Sequence, residues 1–328
     1  MSEAGAAQAG VAQVGVAQVG AEIEVADLAK GFPGTQAVDR VAFSIARGEI
    51  FGLVGPDGAG KTTVMRMLAG VMQPDSGRIE IDGVDVVKEP ERAKRHLSYM
   101  PQRFGLYEDL TVDENIRFYA DVFEIPRKLR EARTAPLLAA SNMTEFRRRL
   151  AGQLSGGMKQ KLGLICALVH TPKVLLLDEP TTGVDPISRR EFWSILYGLR
   201  AEGVTILIST AYLDEAERCT RLALLHRGRL AYCDTPRRLK ERMPGAILRL
   251  VSSDARALRD ALRGADGVRS VLLVGDGVHV AVDDGARRLP ELERLVRDKG
   301  LALASIARVT PTIEDLFVSL LKDEEVPS

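Results

Sequence analysis

The chain has 328 residues, with 45 lysines and arginines against 45 aspartates and glutamates; that balance argues against a nucleic-acid surface, and the length suits two domains or one large domain with an appendage. No stretch approaches the roughly eighteen apolar residues that span a bilayer, and no basic segment followed by an apolar core opens the chain. Cys166, Cys219 and Cys233 show no C-x-x-C spacing, which argues against a disulfide framework or zinc site, so a cytoplasmic protein is expected.

Residues 1–21 are mostly Ala, Gly, Gln and Val, with Val-Ala-Gln-Val-Gly repeated. They offer little to bury, and a disordered tail is expected. From Ile23 to about Met100 the pattern is short strands and turns. Within it, Ile50-Phe51-Gly52-Leu53-Val54 reads as a buried strand and Thr62 to Leu68 as the start of a helix. Between them stand Gly55, Pro56, Asp57, Gly58, Ala59, Gly60, Lys61 and Thr62, the pattern G-x-x-x-x-G-K-[ST] in the strand–loop–helix setting that it requires. The glycines let backbone N–H groups close on phosphate oxygens, and the helix aims its positive end at the same anion. Lys61 supplies a cation for the outer phosphates of a nucleoside triphosphate, and the Thr62 hydroxyl suits Mg²⁺.

From Phe104 to about His170 the pattern turns helical. One helix is expected over Val112 to Val122 and another over Lys128 to Ala135, stopped or kinked by Pro136. Arg147-Arg148-Arg149 reads as a solvated helix face. Leu154-Ser155-Gly156-Gly157-Met158-Lys159-Gln160 then leads into a helix from Met158 to Val169, and a serine with two glycines at that point makes a second anion-binding helix start. The strand Val174 to Leu177 ends in Asp178-Glu179-Pro180. In a parallel sheet Asp178 lies beside the phosphate loop, where it can hold Mg²⁺ through the metal's water shell. Glu179 is expected to point the other way on an extended backbone and to polarise the attacking water.

Together these motifs resemble the ATP-binding cassette (ABC) ATPases, over about residues 22–240. The resemblance implies an α/β P-loop NTPase core, RecA-like with an antiparallel β subdomain and a helical subdomain at about 104–170, within a nucleotide-binding domain at 22–243. Phe32 stands where the family stacks an aromatic on adenine. Gln102, in Tyr99-Met100-Pro101-Gln102, matches the glutamine that senses Mg²⁺ and the γ-phosphate. Ser155, Gly156 and Gly157 match the signature that binds the γ-phosphate of ATP held by an opposite subunit, and Thr182-Gly183-Val184-Asp185 matches the loop that crosses between subunits. The resemblance therefore implies ATP and Mg²⁺, with Thr62, Asp178 and Gln102 at the metal and Glu179, Gln102 and Lys61 in catalysis. Phe32, Gly55 through Thr63, Ser155, Gly156, Gly157 and Asp185 would bind nucleotide. It also implies a second cassette as partner, in a homodimer or heterodimer, and a peripheral place on the inner face of the membrane through separate permease subunits.

Three positions depart from the family pattern. Ala211, in Ile208-Ser209-Thr210-Ala211-Tyr212, occupies the place of a histidine that contacts the γ-phosphate, and it has no side-chain hydrogen bond to offer. Two readings stay open: slow hydrolysis driven by Glu179, or a site that mainly holds ATP while a partner cassette turns over. Met158 replaces a common glutamine, as in exporters of the ABC-2 type, and Asp57 replaces a more usual asparagine. Phe104, Tyr107 and Leu110 are candidates either for a permease-docking face or for the core of the helical subdomain.

Pro244-Gly245 reads as a boundary before an accessory domain at 246–328. Its pattern is strand (Ile247 to Val251), helix (Asp254 to Leu262), strands (Val268 to Val274, Val278 to Val282), helix (Leu289 to Lys299) and strand (Leu301 to Arg308). That is βαββαβ, a small α+β ferredoxin-like unit. A last helix follows, capped by Thr310 or Thr312, in a Pro-x-x-Glu-Asp-x-Phe ending that resembles ABC-2 drug exporters. The reading with most support is thus the ATPase subunit of an ABC-2-type exporter of drugs or other hydrophobic compounds. A DNA-repair ABC protein is disfavoured because no sustained heptads lie between Lys61 and Ser155, and a ribosomal one because the chain carries a single cassette.

Overall fold

A computed structural model gives the fold and describes residues 21–323. The tail expected at 1–21 lies outside the described residues, apart from Ala21, which opens the first strand. The chain begins with β1 (Ala21–Phe32), β2 (Thr35–Ala46), β3 (Ile50–Val54), α1 (Lys61–Leu68), β4 (Ser76–Ile81) and β5 (Val84–Asp85). It continues through α2 (Pro90–Lys94), β6 (Leu97–Met100), α3 (Val112–Val122), α4 (Arg127–Ala140), α5 (Gly156–Leu168) and β7 (Val174–Asp178). Next come α6 (Pro186–Ala201), β8 (Thr205–Thr210), α7 (Leu213–Ala216), β9 (Arg221–His226), β10 (Arg229–Asp234) and α8 (Pro236–Glu241). The chain closes with β11 (Ala246–Val251), α9 (Ala255–Leu262), β12 (Val268–Val274), β13 (Gly277–Val282), α10 (Gly285–Asp298), β14 (Ser305–Val309) and α11 (Ile313–Asp323).

Contacts divide the chain into two compact units. One comprises the described residues up to Ala211 with Leu225–Cys233; the other comprises Tyr212–Leu224 with the residues from Asp234 onward. The second unit therefore begins well ahead of the expected boundary at 243–246. The reason lies in α11, which packs on α7 and α8 as well as on the strands β12 and β13.

In the first unit, β2-β1-β4-β5 form an antiparallel sheet, and β3-β8-β7-β6 stand side by side in that order in a second sheet. Pairing from β3 through β8 and β7 to β6 is parallel. Strands β3, β7 and β8 are buried along their whole length. Continuous apolar runs of this kind suit parallel strands covered on both faces. The helical segment has its own core of Val112, Ile116, Leu138, Leu154, Leu162 and Ile165. Thr111 and Glu114 close a reciprocal cap at the start of α3, so that helix begins where its sequence cues place it.

Of the two effects expected of Pro136, a stop or a kink, the stop does not occur: α4 runs on to Ala140. Proline removes one donor, but Ala132, the residue four positions before it, is exposed, so the orphaned carbonyl can turn to water. Phe104 settles into the helical core, its ring about 3.2 Å from where a Cβ on Gly163 would stand, while Tyr107 stays 47% exposed.

The second unit carries a four-stranded sheet of order β12-β13-β11-β14, antiparallel throughout. Its chain order is βαββαβ. One core gathers Leu248, Leu250, Val278 and Val280 of the sheet with Leu258 and Leu262 of α9 and Leu292 and Val296 of α10. Helix α10 starts at Gly285, four residues earlier than expected, because Asp284 caps it by accepting from the backbone N–H groups of Ala286 and Arg287. Helix α11 is capped by Thr312, whose Oγ1 accepts from Asp315 N at 3.1 Å while Asp315 Oδ2 accepts from Thr312 N at 2.8 Å.

Candidate functional site

The loop from Gly55 to Thr62 lies between the C-terminal end of β3 and the start of α1. It is pinned at its entry by Gly55 N, which donates to Thr210 O at 3.3 Å. Gly60 precedes the helix with φ 103°, and no side chain caps α1, so its first N–H groups are left for an anion. A Cβ at Gly60 would lie 2.3 Å from Ala37 O; only glycine allows that approach. Lys61, 4% exposed, folds back over the loop. Its Nζ donates to Gly55 O at 2.8 Å and Pro56 O at 3.1 Å and pairs with Glu179 Oε1 at 3.0 Å.

Asp178, at the end of β7, is buried. Thr62 Oγ1 donates to its Oδ1 at 3.2 Å, Ser209 Oγ donates to the same oxygen at 2.6 Å, and the Tyr99 hydroxyl donates to Oδ2 at 3.3 Å. Burial, followed by the Asp178 carboxylate, pushes the Tyr99 hydroxyl up to about 12, so it remains a donor.

Glu179 departs from expectation in how it is aimed. The strand ends at Asp178, and Glu179 itself adopts the left-handed conformation with φ 49°. Strand alternation therefore does not separate the two carboxylates; a turn does. That turn brings Glu179 to the phosphate loop through Lys61, and its Oε2 accepts from Gln102 Nε2 at 3.0 Å. Lys61, Thr62, Gln102, Asp178 and Glu179 thus converge on one loop.

Ser155, Gly156 and Gly157 form a second group with the loop at Gly183–Asp185. Ser155 caps α5 by accepting from Met158 N at 3.3 Å. Asp185 caps α6 by accepting from Ile187 N at 3.0 Å and Ser188 N at 2.9 Å. The Ser188 backbone N–H, then its side chain, hold the Asp185 carboxyl below the usual range. A Cβ at Gly157 would lie 2.5 Å from Ser188 Cβ, so the first turns of α5 and α6 touch backbone to side chain. One turn further along, the nearly buried Lys161 pairs with Glu191 and donates to Ser141 O at 3.2 Å. Two helix starts therefore open side by side.

Phe32 is 44% exposed at the turn between β1 and β2, with Lys30 Nζ over its ring, 6.0 Å from the centroid. Asp57 and Gly58 are exposed at the tip of the loop, whereas Pro56, Thr62 and Thr63 are half-buried and Ala59 is buried. Ala211 is exposed directly after Thr210, the residue bonded to the loop's first glycine. Two further contributors, Tyr99 and Ser209, are not singled out by the sequence motifs. A hydroxyl in the otherwise apolar run Ile206-Leu207-Ile208-Ser209 was the available signal.

The donor chemistry fits Mg²⁺. Thr62 Oγ1, the Asp178 carboxylate and the Gln102 amide oxygen are hard oxygen ligands of the kind magnesium takes. Among the described residues no group of three or more His, Cys, Asp or Glu could hold a metal ion. A site with one carboxylate and a hydroxyl leaves the other positions to water and phosphate, as is usual for magnesium.

Residues 38–182, which hold the phosphate loop, Gln102, the signature and Asp178–Glu179, match the ABC transporter family model. The Nod factor export ATP-binding protein I of Burkholderia thailandensis is 36% identical over 302 residues, covering 92% of this chain and 97% of that protein. The chain belongs to the ABC transporter ATP-binding proteins. The daunorubicin resistance ATP-binding protein DrrA2 of Streptomyces coeruleorubidus is 32% identical over 298 residues, covering 89% of this chain and 92% of its own length. The probable multidrug ABC transporter ATP-binding protein YbhF of Escherichia coli is 44% identical over 306 residues; the match takes in 92% of this chain and 52% of that protein. The chain thus spans about half the length of that relative. Among solved structures, an ATP-binding subunit of an ABC transporter superposes with a TM-score of 0.61 at 33% identity, covering 67% of this chain and 92% of that one. Its likeness confirms the P-loop ABC ATPase core.

Proposed function

We propose that the chain is the ATP-binding and ATP-hydrolysing motor of an ABC-2-type exporter, coupled to separate permease subunits that carry drugs or other hydrophobic compounds. The observation that carries this reading is the convergence of Lys61, Gln102 and Glu179 on the phosphate loop beside the Thr62–Asp178 pair. Names of relatives such as daunorubicin resistance, multidrug transport and Nod factor export support the export direction. Among the described residues no helix is long and apolar enough to cross a membrane, which fits a subunit that reaches the membrane through partners.

When ATP enters, Lys61 exchanges the Gly55 and Pro56 carbonyls for phosphate oxygens, and that same movement releases the Glu179 carboxylate. Glu179 then orients and polarises water for attack on the γ-phosphorus, with Gln102 steadying it. Thr62 and Asp178 would hold Mg²⁺, which would supply charge neutralisation for the outer phosphates. Adenine stacks on Phe32. The paired helix starts at Ser155 and Asp185 form an edge suited to ATP held by a second cassette, so two cassettes close around two nucleotides and pass the motion to the permease. Ala211 contributes no γ-phosphate contact, and turnover rests on Glu179.

The test is steady-state ATP turnover beside Glu179→Gln over a range of protein concentrations. Specific turnover that rises with concentration and falls by about a hundredfold or more in the variant is expected. Tight ATP binding without turnover that depends on Glu179 refutes the hydrolytic reading and leaves a cassette that only holds ATP.

A further inference from the structure

Ser209 stands on β8 directly opposite Asp178 of β7 in the parallel register. It is wholly buried and follows the apolar run Ile206, Leu207 and Ile208. A buried hydroxyl has to find partners, and this one uses both of its capacities on the site. Its proton goes to Asp178 Oδ1 at 2.6 Å, and its oxygen accepts from Glu179 N at 3.0 Å. The same Glu179 N–H also donates to Ser209 O at 3.1 Å. A single oxygen atom on a rigid strand therefore touches the groups that orient both carboxylates.

We infer that Ser209 is a positioning residue for the ATPase reaction, setting the metal-holding carboxylate of Asp178 and fixing the left-handed turn that aims Glu179. The inference rests on the roles proposed above for those two residues. Asp178 Oδ1 shares its lone pairs between Ser209 and Thr62. Were Thr62 to turn its oxygen toward a bound metal, Ser209 at Oδ1 and Tyr99 at Oδ2 would keep the carboxylate in place. Residue 179 in turn holds φ 49°, a conformation that costs a non-glycine residue roughly 1–2 kcal/mol. The hydrogen bonds that its N–H donates to Ser209 Oγ and Ser209 O help to maintain that turn.

Nucleotide binding separates this role from plain structural support. Affinity for a fluorescent ATP analogue is measured with and without Mg²⁺ in wild type, Ser209→Ala, Ser209→Thr and Asp178→Asn, followed by kcat and KM. Ser209→Ala is expected to keep its Mg²⁺-free affinity and to lose about ten- to a hundredfold of the tightening that Mg²⁺ brings, the usual effect of removing a group that orients a metal ligand. Its kcat falls more than its KM rises, and Ser209→Thr, which keeps the hydroxyl, restores both. Two results overturn the inference: Mg²⁺-linked tightening and kcat unchanged in Ser209→Ala while Asp178→Asn abolishes the tightening, or an equal loss of affinity with and without Mg²⁺. If Asp178→Asn itself leaves the tightening intact, the proposed role of Asp178 fails and the role of Ser209 falls with it.

Discussion

Replacing Gly157 with alanine should uncouple ATP turnover from ATP binding. The new Cβ would stand 2.5 Å from Ser188 Cβ and 2.6 Å from Ser188 Oγ. Carbon atoms pack at about 3.5–4.0 Å, so the first turns of α5 and α6 must part by about 1 Å. Overpacking on that scale costs about 1–3 kcal/mol, offset in part by about 1 kcal/mol of better helix propensity for alanine over glycine. The stability change is therefore small. The displacement is not, because it moves Ser155 relative to Asp185 on the edge proposed to meet the second nucleotide, and a misplacement of about 1 Å can cost roughly a hundredfold in rate.

The clash has a built-in remedy. Its two nearest atoms belong to the Ser188 side chain, and the next, Val184 Cγ1, lies at a tolerable 3.4 Å. Gly157→Ala should lower kcat by about a hundredfold with ATP affinity unchanged, since the phosphate loop is a separate group of residues. Adding Ser188→Gly should restore most of the turnover at a cost of about 1 kcal/mol in α6, because Asp185 still caps the helix through backbone N–H groups. The assay is steady-state turnover beside fluorescent-nucleotide binding for both single variants and the pair. Wild-type turnover in Gly157→Ala, or a loss that Ser188→Gly does not relieve, would refute the reasoning.

Gly60→Ala should lose nucleotide binding by about five- to thirtyfold from left-handed strain of roughly 1–2 kcal/mol alone. The 2.3 Å approach to Ala37 O adds to that strain, and displacement of a fluorescent ATP analogue reads the result. In the second unit, burial raises the Asp315 carboxyl, but hydrogen bonds from His279 at 3.1 Å and from Thr312 outweigh it and leave the group below its usual value. A depressed carboxylate stabilises fully above its unfolded pKa of about 3.9 and loses that contribution as pH falls through the folded value. Denaturation below about pH 4 should therefore weaken wild type more steeply than Asp315→Asn, which starts less stable at neutral pH; parallel pH profiles would argue against the pair.

The phosphate loop was legible because its chemistry is local. Gly55 to Thr62 carry their own turn, anion cradle and helix start, and the strand before them is buried for reasons visible in five consecutive residues. The element order from β11 to β14, βαββαβ, follows for a related reason, since each short strand and helix carries its own local period. Element ends differ where a local rule meets its surroundings: α4 runs through Pro136 across an exposed turn, and α10 starts from its cap at Asp284 rather than at Leu289.

What could not be read is whatever depends on strand order. Ser209 meets Asp178 across 31 residues and Tyr99 meets it across 79, because β7 lies between β8 and β6. A run of apolar letters tells that a strand is buried but not which strands flank it. The same gap explains the misassigned geometry of Glu179. Alternation along a strand is a sound rule until the strand ends, and β7 ends one residue too soon for it to apply. The left-handed turn that follows is held by Ser209, a partner on the next strand. Asp178 and Glu179 are adjacent in sequence, yet both are hydrogen-bonded to Ser209 of β8, and it is there that a substitution would disturb both together.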